Sequence, residues 1–95
     1  MQPADEFFEL RRQSQENLAV FLKAEIDLAT TMLDIAKTTN DDAHRTRLLE
    51  SIQGAIDTVR YFEKQIADEH QRLKFQQGAD ELEAAVRRFE SGTLT

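Results

Sequence analysis

The sequence predicts an all-α protein, an antiparallel three-helix bundle with an N-terminal helical extension, and three observations carry that expectation. Apolar residues recur at spacings of three and four along most of the chain, as they do on the inward face of an amphipathic helix. Three Gly and one Pro are too few for the many turns of an all-β chain. The stretches between periodic segments are short, so consecutive helices have to double back on one another. A chain of 95 residues is expected to form one domain over residues 1–95, burying roughly 65% of its unfolded surface in one modest core.

The first helix is read from Leu18, Phe21, Leu22, Ile26, Leu28, Ala29, Met32, Leu33, Ile35 and Ala36. At 100° per residue these positions cover about half the circumference, a stripe wide enough for two neighbours. Lys23, Asp27, Thr30, Asp34 and Lys37 take the other half. Phe7, Leu10 and Ser14 extend the stripe backwards, which predicts a helix over about 4–37 starting near Pro3, a residue suited to the first helical position. A break at Ser14, which can cap a helix, would instead give a short separate N-terminal helix.

The pattern fades after Ala36 and resumes at Leu48. Between them lies TTNDDAHR, residues 38–45, where Thr39 or Asn40 is expected to cap a new helix and Asp41 and Asp42 suit its positive end. The second helix is predicted over about 41–67, with Leu48, Ile52, Ala55, Val59, Phe62 and Ile66 inward and Leu49 and Ile56 flanking them. Asp57, Arg60 and Lys64 form its solvated face. The phase then slips, and Phe75, Ala79, Leu82, Val86 and Phe89 begin a new series. That slip predicts a tight corner near Ala67 and Asp68, with Asp68 capping and Gln71 answering it, rather than one long helix changing partners. The third helix is placed over about 69–90, supported by the Glu83 and Arg87 pair, with a stop at Gly92 and a frayed tail over 91–95.

Eighteen acidic and twelve basic side chains give a formal net charge of −6. Their signs are mixed along the length, with no basic stripe to release counterions from a phosphate backbone, so nucleic acid is not an expected partner. No apolar run approaches the ~20 residues of a membrane span, and no secretory leader is read at the start, so neither a membrane nor export is expected. Without cysteine, disulfides, thiol nucleophiles and thiolate metal ligands drop out. A cytoplasmic protein is the expectation.

Each candidate for chemistry has a plainer reading beside it. Asp41 and His44 are three apart on a helix and could share a metal, but a di-iron bundle needs a second carboxylate-x-x-His pair, and position 67 before His70 is Ala. No metal site and no cofactor are expected. Glu25 and Glu63 lie near the edges of their apolar stripes, and with His70 they are the candidate residues of a core pocket. No phosphate loop or nucleophile elbow is present, and a non-enzymatic protein is expected. Gly54 and Gly78 each cost about 1 kcal/mol relative to Ala inside a helix. A close crossing within the chain is the expected reason for both, with an approaching partner backbone as the alternative.

The N-terminal FFEL raises the sharpest question. A first helix from Pro3 to Ala36 would be about 50 Å long, against about 35–40 Å for the others. Phe7, Phe8 and Leu10 would then lie beyond the bundle, either folding back over its end or docking on another chain.

Residues 27–62, DLATTMLDIAKTTNDDAHRTRLLESIQGAIDTVRYF, resemble the helix-pair core of small bacterial all-helical proteins of uncharacterised function. They are also similar to tetratricopeptide-type helix pairs, whose stacked copies bind peptides in a groove. These helices are longer than that repeat's, there is no second copy, and its Trp and terminal Pro signals are absent, so the groove is not implied. The resemblance implies a bacterial cytoplasmic helical protein and transfers no functional residue. The expected function is a non-enzymatic protein-protein interaction or self-association module, a homodimer candidate anchored by Phe7, Phe8 and Leu10. The alternative is a small-molecule or metal-binding bundle with a pocket near Glu25, Glu63 and His70.

Overall fold

A computed structural model describes residues 3–93, and these form three helices, α1 Pro3–Thr38, α2 Asp42–Phe62 and α3 Glu69–Thr93, with one 3-10 turn over Glu63–Gln65. No strand occurs among the described residues. The protein is therefore all-α. No helix among the described residues is long and apolar enough to cross a membrane.

Each helix contributes one row to a shared core. Leu22, Ala29 and Leu33 come from α1, Ile52, Ala55, Ile56 and Val59 from α2, and Ala79, Leu82 and Val86 from α3. These rows follow the three-and-four spacing that makes the helices amphipathic, and their burial is the main term holding the elements together. Ile66 leaves the helical conformation with φ −72° and ψ 121° and drives its side chain into the same core. Phe75 and Phe89 pack half-buried against it.

The helices break between Thr38 and Asp42 and again between Phe62 and Glu69. Asp41, not Thr39 or Asn40, caps α2, its carboxylate accepting from the His44 N–H at 3.1 Å. Three consecutive residues able to cap compete here, and the one at the correct spacing from an unbonded N–H wins. Thr39 instead accepts from the Asp41 N–H at 3.2 Å, shaping the turn. Arg45 folds back to donate to the Ala36 carbonyl at 3.4 Å and the Thr39 carbonyl at 2.6 Å, satisfying groups that the end of α1 leaves free.

At the other corner the chain leaves α2 through the 3-10 turn, earlier than the predicted residue 67. Asp68 accepts from the His70 N–H at 2.9 Å. The expected stop at Gly92 does not occur. Gly92 has no positive φ, so it makes no left-handed cap, and α3 runs on to Thr93. Leu94 and Thr95 of the expected tail lie outside the described residues.

The Asp41 carboxyl is held below its usual range, first by the His44 N–H bond, which outweighs partial desolvation, and then by the Ala43 N–H and the Arg47 charge. A carboxyl with a depressed folded pKa stabilises the fold above its unfolded value of about 3.9, and that contribution is lost as pH falls through the folded value. Asp41→Ala is therefore expected to lower Tm by a few degrees at pH 7. The gap to the parent should close as melts are repeated at successively lower pH below about 4.

Candidate interaction surface

Gln15 marks where the body of the fold begins. Its amide donates to the Gln65 carbonyl at 3.0 Å and accepts from the Ala67 N–H at 2.8 Å, tying α1 to the corner between α2 and α3. The α1 residues before it, Pro3 to Ser14, extend for about 18 Å at 1.5 Å per residue. The molecule is accordingly elongated, 63 × 21 × 15 Å. Helix α1 is continuous from Pro3 to Thr38, so the break considered at Ser14 is absent.

The predicted anchors lie on this overhang, and they do not fold back. Phe7, Phe8 and Leu10 are 57, 65 and 64% exposed. Phe7 and Phe8 meet edge to face with centroids 6.3 Å apart, and the Arg11 guanidinium lies 5.6 Å from the Phe7 ring centre. Arg12 pairs with Glu9 and Glu16 along the same segment. Those exposed pairs add little to stability, but they support the helix locally.

The wide α1 stripe proves to be two faces. Leu22, Ala29, Leu33 and Ala36 are buried, and Leu18, Ile26 and Met32 pack against the core. Phe21, Leu28 and Ile35 stay exposed at 42, 54 and 42%. Phe7, Ser14, Phe21, Leu28 and Ile35 are seven residues apart in turn, with Leu10, Asn17, Ala24 and Thr31 interleaved. This outward face has the three-and-four spacing of a coiled-coil seam, with Ser14, Asn17 and Thr31 as polar interruptions.

Helix α2 flanks that seam. The Phe62 ring meets Phe21 with centroids 6.0 Å apart, and Tyr61, itself exposed, lies 4.9 Å from Phe62. At 100° per residue Gly54, Thr58 and Tyr61 share one face of α2. A Cβ built on Gly54 meets nothing within 4 Å. The expectation of a close crossing within the chain is corrected at Gly54, because its neighbour there is open space. It holds at Gly78, where a Cβ would stand 3.0 Å from Ile26 Cδ1.

The pocket residues fall apart spatially. Glu63 is buried and accepts from the Gln76 amide at 3.0 Å. It borders an open groove of about 390 Å³ with Arg60, Tyr61, Lys64, Gln76 and Asp80, and neither Glu25 nor His70 lines that groove. Glu25 is half-exposed and His70 exposed. Arg60 beside the groove is paired to Asp80 at 3.0 Å and to Glu83, which also holds Arg87 at 2.7 Å. These carboxylates push the Arg60 pKa up, the Glu83 bond foremost. The arrangement reads as a tie between α2 and α3. Asp41 is occupied as a cap, and among the described residues no three His, Cys, Asp or Glu side chains gather as a metal ion would require.

Sequence reasoning missed three features. Gln15 and Arg45 act across 50 and nine residues respectively, distances at which no local pattern signals a contact. The seven-residue repeat from Phe7 to Ile35 was open to view, but it was merged with the inward stripe beside it.

Fold and surface together define an all-helical protein with an apolar helical overhang and a second, outward apolar face. Comparison with family models, with curated proteins and with solved structures finds no match in any of the three.

Proposed function

We propose that the protein is a non-enzymatic helical self-association module, an antiparallel three-helix bundle whose long first helix docks on another chain. The observation that carries this reading is the overhang itself, on which Phe7, Phe8 and Leu10 all remain more than half exposed. A soluble chain rarely leaves such a patch uncovered, and aromatic anchors of this kind supply most of the energy where helices pack between chains. The antiparallel arrangement is supported at both ends, by Gln15 against Gln65 and Ala67 and by Arg45 against Ala36. The cysteine-free composition and the resemblance of residues 27–62 support a bacterial cytoplasmic setting. The pocket reading has less support, because Glu25 and His70 do not join Glu63 at its groove.

The test is the concentration dependence of thermal unfolding. Association that favours the folded state makes Tm rise with protein concentration. The parent chain is expected to show that rise. Phe7→Ser, Phe8→Ser is expected to keep its helical circular dichroism and lose the concentration dependence. A parent Tm that does not move with concentration contradicts the reading.

A further inference from the structure

We infer that the occupant of the outward face of α1 is a second copy of this chain, whose own α1 runs antiparallel along the seam from Phe7 to Ile35. The inference rests on the self-association just proposed and adds its surface, orientation and register.

Four observations select a copy. The first is length. The seam is about 42 Å from Phe7 to Ile35 at 1.5 Å per residue, longer than α2 or α3 of the same chain can cover, and α1 of a second copy matches it by construction.

The second is size. In an antiparallel pair each residue of one interleaved row faces a residue of the other. Setting Phe21 on the partner's Ala24 brings Leu10 to the partner's Ile35, Ser14 to the partner's Thr31 and Phe7 to the partner's Thr38. Large side chains meet small ones at the centre, and Phe7 and Leu10 of the overhang are covered by the C-terminal end of the seam, while Phe8, which continues the row of Gln15, Leu22 and Ala29, stays outside it. The pairing is two-fold symmetric, as most homodimers are.

The third is charge. Asp5, Glu6 and Glu9 crowd the start of α1. A parallel pair would set both acidic clusters together, whereas the antiparallel pair separates them, setting Glu6 and Glu9 near the partner's Lys37 and Asp5 level with the partner's Asn40, next to the partner's Asp41 and the partner's Asp42.

The fourth is Gly54. With Phe62 level with Phe21 and Arg45 level with Ala36, Gly54 stands level with Leu28, on the flank of α2 beside the seam. In this register the partner's Asn17 arrives there. A second helix seated between α1 and α2 fills the space that is open at Gly54 and gives that residue, which costs α2 helical stability, its reason. A strip about 42 Å long and ~10 Å wide covers about 420 Å², roughly half the ~800 Å² per partner of a standard interface, so the pair is expected to dissociate on dilution.

The chain contains no cysteine, so the register is testable by single introduced thiols. Leu10→Cys and Ile35→Cys both alter exposed positions and leave the core untouched. An equimolar mixture, oxidised under mild conditions, is expected to give a disulfide-linked heterodimer. Each variant alone is expected to stay unlinked, because like positions lie about 37 Å apart along the antiparallel axes. Self-linking of either variant would show a parallel pair and overturn the inference. A mixture that does not link also overturns it, and the solution mass of the parent then separates the two failures. A dimeric parent leaves self-association standing on some other surface, and a monomeric parent removes both.

Discussion

Replacing Ile56 with alanine is expected to lower the stability of the fold by about 2–5 kcal/mol, the largest effect of any single truncation considered for this chain. Ile56 is 1% exposed and belongs to the cluster joined by all three helices. The lost methyl groups cost their transfer energy, and the cavity they leave adds to it because three packed helices cannot collapse around it independently. A domain of this size has only about 5–15 kcal/mol in total and loses roughly 4–8 °C of Tm per kcal/mol, so the variant should melt well below the parent. Thermal melts by circular dichroism at one protein concentration check this. A loss of only a degree or two would mean that the three rows do not share one core.

Leu28→Glu is expected to do the opposite, leaving the folded chain intact and abolishing its association. Leu28 is 54% exposed, and Glu is as good a helix former as Leu, so the isolated chain should keep its helicity and lose little stability. In the paired seam the new carboxylate would be buried against the partner's Asn17 with no cation to meet it. An uncompensated charge at a helix interface costs several kcal/mol, and the symmetry applies it twice. The dissociation constant should rise by at least about 100-fold, read by sedimentation across a dilution series. An unchanged constant would place the interface elsewhere. The two substitutions together separate the inward half of the α1 stripe from its outward half, which composition and periodicity alone had merged.

The inward rows of the three helices were not equally legible in the sequence. The rows on α2 and α3 were legible because each helix turns one apolar face inward, so Ile52, Ala55 and Val59, and likewise Ala79, Leu82 and Val86, fell where their spacing put them. On α1 the same periodicity described two faces about a quarter-turn apart. Only the position of α2, fixed by Phe62 against Phe21, shows which residues are covered. Capping was legible to within two residues. Thr39, Asn40 and Asp41 all carry side chains able to accept from a helix start, and the choice of Asp41 depends on a turn geometry that sequence spacing does not resolve.

Gly92 misled for a related reason. Glycine permits a left-handed stop but does not impose one, and α3 passes through it. The length mismatch that left Phe7, Phe8 and Leu10 unplaced was legible from arithmetic alone. Whether they folded back was not, since a helix that continues and one that breaks at Ser14 have the same local pattern. The Gln15 clamp decides where the overhang begins, and it joins residues 50 apart.

The most direct measurement is the absolute mass of the unaltered chain in solution, by light scattering on a size-exclusion column at several loading concentrations. The chain is 10.9 kDa, and self-association through α1 predicts twice that mass at high concentration, falling toward the single-chain value on dilution. A mass that stays at that of one chain at every concentration, with the helices intact, would contradict the account.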